Sequence, residues 1–286
     1  MSHEMMIPDG FETVHVDDAG RVRVGVRDHV ALVSFDRPDK RNALDGGQFA
    51  AIAAAGEHVK SLREVRAVVL HGVGRSFCAG LDFSGFASMM GDGDRMTEAS
   101  DSPGRLTESG LTHLGQQVCW VWQEIEVPVI AAIHGHALGG GLQIALGADI
   151  RIAHPETQLS VREVHWGIIP DMTGTLTLDR LVRPDIAREL TYTARVLSAA
   201  EGHPLGLVTR LSDDPLGDAL SMAGEIAARN PHAVRAAKRL LSDTFIGGAA
   251  EQFAAERREV SALIGTPNQV EVIKANLENR APVLSD

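Results

Sequence analysis

Cysteine is scarce in this chain. Its 286 residues include two, Cys78 and Cys119, too few for a disulfide framework, so a reducing, cytoplasmic setting is expected. Positive charge is also in short supply. Lysine and arginine total 27 against 38 acidic residues, a net charge of −11, which argues against a non-specific grip on nucleic acid or an anionic membrane. An anionic ligand must then be held by local basic groups or helix N-termini. Long apolar runs are missing too: residues 127–133 are typical, far short of the ~20 that span a bilayer. Residues 1–10 lack the apolar stretch of a signal peptide.

Several motifs are absent as well. There is no Gly-x-Gly-x-x-Gly dinucleotide fingerprint and no Gly-x-x-x-x-Gly-Lys-Ser/Thr phosphate loop. Gly74-Arg-Ser-Phe-Cys78 is not a nucleophile elbow, because cysteine stands where the second glycine is needed. His134 and His136 have no Cys or Asp partners at ligand spacing, so no metal is expected.

What is present is ordinary globular material, 44% hydrophobic and 23% charged. Short β-branched runs at 31–35, 65–70, 127–133 and 150–153 end in turn signals. An alanine-rich stretch at 48–62 has helical spacing, and 142–146 opens a short helix directly from three glycines. Strands alternating with helices predict an α/β architecture for residues 1–196. From 197 onward the pattern turns helical, starting with the Ser198-Ala-Ala-Glu201 capping box and continuing through 218–228, 233–241, 248–263 and 268–279. Such a region packs on the core or on a neighbouring subunit. The Gly-, Asp- and Ser-rich segment 85–110 reads as a lid or as a surface insertion without fixed structure.

Two glycine-bearing segments, Ser76-Phe-Cys-Ala-Gly-Leu-Asp-Phe83 and His134-Gly-His-Ala-Leu-Gly-Gly-Gly-Leu-Gln143, each follow a predicted strand. Glycine there brings backbone close to a ligand, and the second segment leads into a helix whose N-terminus carries partial positive charge. Each alone reads as a tight turn. Together, aimed at one carbonyl oxygen, two such amides make an oxyanion hole.

At these segments the chain resembles the crotonase (enoyl-CoA hydratase/isomerase) superfamily. The resemblance starts at Arg37-Pro-Asp-Lys-Arg-Asn-Ala-Leu44 and runs through 65–82, the triple glycine, 147–153 and 163–181, to the closing helix at 268–283. It implies a spiral of ββα units, a C-terminal helical trimerisation region over 197–286, and a homotrimer or dimer of trimers. It implies an unsaturated acyl-CoA substrate and no cofactor beyond the CoA carried by that substrate. It carries the oxyanion hole to the Leu81 and Gly140 amides. It places Arg37, Lys40, Arg41, Ala43, Ala79, Gly80, Asp82, Phe83, Gly139, Trp166, Pro170 and Arg280 around the substrate, with His165, Met172 and Phe86 as further candidates for the acyl pocket. Asp149 is expected to fix the glycine loop.

The acid–base positions discriminate among members. Similar hydratases use two glutamates. Glu163 matches the second, but Gln143 stands at the first, where it can bind water and cannot exchange a proton. Asp171, eight residues beyond Glu163, resembles an acid of the dienoyl-CoA isomerase branch, although that branch commonly has a third acid at position 143. A loop acid capping the next helix is the plainer reading of Asp171. The leading expectation is a double-bond isomerase using Glu163 and Asp171. A hydratase relying on Glu163 with Gln143 holding the water, and a non-catalytic acyl-CoA-binding protein, are the alternatives.

Overall fold

The computed structural model describes residues 4–82, 103–108, 110–229, 231–280 and 282–283. Phe83, Phe86 and most of the 85–110 segment lie outside them. Ten strands form among the described residues: β1 (Glu12–Val16), β2 (Val22–Arg27), β3 (Val30–Phe35), β4 (Ala67–Gly72), β5 (Val129–Ile133), β6 (His136–Leu138), β7 (Ile150–Ala153), β8 (Gln158–Ser160), β9 (Leu197–Ser198) and β10 (Arg210–Leu211). Seven make one sheet in the order β1-β2-β3-β4-β5-β7-β10, and β6-β8-β9 make a second. The large sheet is antiparallel through β1, β2 and β3 and parallel from β3 to β10. This is the α/β spiral that the sequence predicts.

The central strands are buried on both faces, which is why they read as unbroken apolar runs with no polar alternation. Val68, Leu70, Ala131 and Ile133 face one core. There they meet helix α1 (Gly46–Ser61), capped by Asp45 accepting from Gln48 N–H at 2.9 Å, and helices α2 (Leu114–Glu124) and α3 (Gly140–Gly147). Ala67, Val69, Ile130 and Ala132 point the other way. Helices α4 (Gly174–Leu181), α5 (Pro184–Thr193) and α6 (Ala199–Gly202) follow α3, and α7 (Pro215–Ala227) then lays Leu216, Ala219 and Ala223 on that second face.

Strand pairing thus continues past position 196, where the sequence reading begins its helical region. β9 pairs with β8, β10 completes the large sheet, and α7 covers it. The two stretches read as separate helices at 233–241 and 248–263 form one helix, α8 (Pro231–Leu263), followed by α9 (Pro267–Leu277). Both pack on their own chain. Lys238 of α8 donates to the Trp122 and Val127 carbonyls and to Asp149, and Trp120 meets Phe253 edge-on with ring centroids 5.0 Å apart. No helix among the described residues is long and apolar enough to cross a membrane.

Candidate active site

The parallel strands β4 and β5 end side by side, and the loops leaving them are zipped together. Phe77 N–H donates to the His134 carbonyl at 2.9 Å, Cys78 N–H to the His136 carbonyl at 3.0 Å, and Leu138 N–H to the Cys78 carbonyl at 3.2 Å. A third segment is stapled to this pair by Asn42, fully buried, whose amide donates to the Val73 and Ser76 carbonyls and accepts from Arg37 N–H. The reverse turn required there holds Arg41 and Asn42 at φ of 51° and 56°.

These loops and the helices beside them enclose a cavity of about 1360 Å³. Leu81 and Gly140 both line it, and neither N–H is donated to an oxygen among the described residues. The Gly140 amide belongs to the orphan set at the first turn of α3, where the helix dipole adds positive potential. Gly139, the residue before it, sits at φ 51°, a backbone that side-chain-bearing residues adopt reluctantly. Two free amides at one cavity can stabilise a developing oxyanion.

Glu163 lies on a one-turn 3-10 helix, Glu163–Trp166, that α9 buttresses through Asn276 donating to the His165 carbonyl at 2.6 Å. Its carboxyl is buried at the cavity wall. Oε1 accepts from the Gln143 amide at 2.5 Å, while Oε2 has no partner among the described residues. Burial lifts this carboxyl to about 7, opposed by nearby backbone N–H groups and the Gln143 amide. A carboxyl poised there exchanges protons near neutrality in either direction. Asp171, half-buried, lines the same cavity. Its loop is held by Gln143 as well: Gln143 Oε1 accepts the Met172 and Gly174 N–H groups, each at 2.9 Å.

Lys40, Arg41, Ala43, Ala79, Gly80, Asp82, Gly139, Trp166 and Met172 also line the cavity, as the sequence reading places them. Others stand elsewhere. Arg37 does not reach the wall: it bridges Asp45 at 2.9 Å and Asp82 at 3.1 Å and donates to the Ala43 carbonyl, bracing the loops. Gln143 is outside the lining, its amide donating to Glu163 and its oxygen accepting from the 172–174 backbone. Pro170 is buried beside Gly174, outside the lining. Arg280 pairs with Glu271 and Glu278 on the surface of its own chain. His165 packs against Trp166 and stays out of the lining. Asp149 holds strand β5 through Val129 N–H, together with Lys238, in place of the glycine loop. Phe83 falls outside the described residues.

Sequence reasoning missed the far wall. His113, Arg162, Ile168, Arg257, Val260 and Ile264 are among the further residues that line the cavity. His113 and Arg257 are 144 positions apart, and no local pattern connects them. The one local signal was His113-x-x-Gln116, a capping-box spacing in which histidine stands in for the usual Ser or Thr.

A spiral α/β fold with two glycine-loop amides over a buried acid defines an acyl-CoA enzyme of the crotonase fold. The sequence profile of the enoyl-CoA hydratase/isomerase family matches residues 25–286, and the chain belongs to that family. It is 32% identical to a short-chain-enoyl-CoA hydratase of Clostridium acetobutylicum, over 88% of this chain and 92% of that protein. It is 29% identical to the enoyl-CoA hydratase EchA19 of Mycobacterium tuberculosis, over 90% and 93%. Among solved structures, an enoyl-CoA hydratase/isomerase from Pseudoalteromonas atlantica superposes with a TM-score of 0.80 at 26% identity, over 93% of this chain and all of that one.

Proposed function

We propose that the protein shifts a double bond in an unsaturated acyl-CoA, with Glu163 and Asp171 moving the proton and the Leu81 and Gly140 amides holding the enolate oxygen. One observation carries this reading. Asp171 lines the same cavity as Glu163, whereas position 143 holds an amide whose oxygen already accepts two backbone N–H groups.

In this reading the thioester oxygen accepts from the two amides. One carboxylate removes a proton from carbon, the electron pair passes into the thioester as an enolate, and the other acid returns a proton further along the conjugated chain. The reaction is redox-neutral and needs no cofactor. Glu163 near 7 suits either role. The helical part, residues 197–286, would also be the surface through which copies associate as trimers.

Hydration is the second reading, supported by the names of the relatives above. It requires one acid, Glu163, to handle a water molecule alone. Asp171→Asn separates the two: isomerisation of a dienoyl-CoA falls about a hundredfold or more if the pair shuttles the proton. Hydration of a trans-2-enoyl-CoA that survives in this variant at the parent's rate favours the second reading.

A further inference from the structure

Gln143 lies on α3, in the turn after the Gly140 amide, and is buried. Both ends of its side-chain amide are engaged. Oε1 accepts the Met172 and Gly174 N–H groups, each at 2.9 Å, and Nε2 donates to Glu163 Oε1 at 2.5 Å. Two N–H donors at one end fix that end as the oxygen, so the nitrogen must face Glu163.

The backbone opposite is shaped to receive this amide. Thr173, between the two donors, is held at φ 69°, a left-handed conformation that branched residues adopt reluctantly. Such a turn converges neighbouring N–H groups on one point, as in the nests that bind anions. A Cβ on residue 174 would lie 2.5 Å from Gln143 Oε1, so glycine there leaves the amide its place.

The other end acts on Glu163. Burial raises this carboxyl, and the Glu163 N–H, the Gln143 amide and the Arg162 N–H lower it. Among the described residues no charged group contributes, neither Arg162, His165 and Asp171 nor the ionisable side chains of α4, α5 and α9. Arg162 is turned instead to the Ala194 carbonyl, 3.0 Å from its Nη1. A donor that favours the charged form keeps the carboxylate available as a base near neutrality.

We infer that Gln143 is the positioning residue of the acid pair: its nitrogen orients the Glu163 carboxyl for proton transfer, and its oxygen seats the loop that carries Asp171. This rests on the proton-shuttle reading above. It goes beyond that reading by giving a part in the reaction to a side chain that exchanges no proton and is outside the cavity lining.

Two variants separate the two ends. Gln143→Glu keeps an oxygen for the Met172 and Gly174 amides, which favour its ionised form, and sets a like charge against Glu163 in place of the donor. Gln143→Met removes both. Infrared titration of the full chain, without substrate, follows the Glu163 carboxyl band, assigned by its loss in Glu163→Gln. The expected midpoint is about 7 in the parent. It is about two pH units higher in Gln143→Glu and about one higher in Gln143→Met. In isomerisation of a 3,5-dienoyl-CoA, Gln143→Glu loses roughly tenfold or more in kcat/KM at pH 7 and recovers it as pH approaches the new midpoint. Gln143→Met, with the Asp171 loop released, stays low at every pH. A midpoint unchanged from the parent's in both variants, or a Gln143→Glu loss that no rise in pH relieves, overturns the inference. Midpoints that move in a protein whose parent turns over no dienoyl-CoA leave the hold on Glu163 standing and overturn the isomerase reading alone. Gln143→Glu carries the test by itself should Gln143→Met fail to fold by circular dichroism.

Discussion

The cavity has two walls built in different ways. One is made of backbone: loops 76–82 and 134–141 hydrogen-bonded to each other, pinned by Asn42 and Arg37, with glycines wherever a Cβ would collide. The other is made of side chains at helix ends: His113 at the start of α2, Arg257 and Val260 near the end of α8, and Ile264 just beyond it. The first wall presents amides in one arrangement, and a substituent there acts on folding and chemistry together. The second presents groups that can be exchanged one at a time, so a substitution there is expected to act on binding more than on the reaction. Glu163 and Asp171 line the same cavity, with Gln143 joining their loops.

The largest effect is expected on the backbone wall. A Cβ on residue 141 would sit 2.2 Å from the Cys78 carbonyl oxygen, a backbone atom that cannot turn aside. Gly141→Ala is therefore expected to lose about 3 kcal/mol of stability or more and nearly all turnover, read by thermal melting and steady-state rates. A variant that melts and turns over like the parent would break the contrast between the walls.

Next comes Glu163→Gln, with kcat lower by roughly 10²–10⁴. Its stability should move in the opposite direction. The folded carboxyl titrates near 7 against an ordinary 4.5, so between these values the folded state holds more protons than the unfolded one. Parent stability therefore falls as pH rises from about 4.5 to 7. The glutamine variant escapes this loss and is more stable above pH 7 by up to roughly 3 kcal/mol, measurable by denaturant titration at pH 5 and pH 8. With Glu163 as the base, parent kcat/KM should climb as pH passes through about 7.

The smallest effect belongs to the helical wall. Val260→Ala should raise KM for longer acyl chains by roughly three- to tenfold while leaving kcat close to the parent's. A drop in kcat equal to that of Glu163→Gln would show that the two walls are not separable.

What the sequence reveals divides along the same line. Loops 76–82 and 134–143 and Glu163 are legible because their function depends on chain neighbours: a strand end, glycines at fixed spacing, a helix start. Lys40, Arg41 and Trp166 follow because they sit inside contiguous motifs. The bracing part of Arg37 is not legible, since its motif is local but its partners Asp45 and Asp82 are met only in the folded loop. Gln143 looked like a weakened catalytic position. Its part as a strut depends on the Met172 and Gly174 amides, about 30 positions away. The His113 and Arg257 wall is invisible in sequence because it exists only once α8 crosses α2.

An ultraviolet assay tests most directly whether Glu163 and Asp171 act on one substrate. The purified protein is given a 3,5-dienoyl-CoA and, separately, a trans-2-enoyl-CoA. The account predicts growth of a 2,4-dienoyl absorbance with the first and little change with the second. Loss of the enoyl band with the second and an inert first substrate would contradict it, leaving Glu163 a hydrating acid and Asp171 without a part in the chemistry.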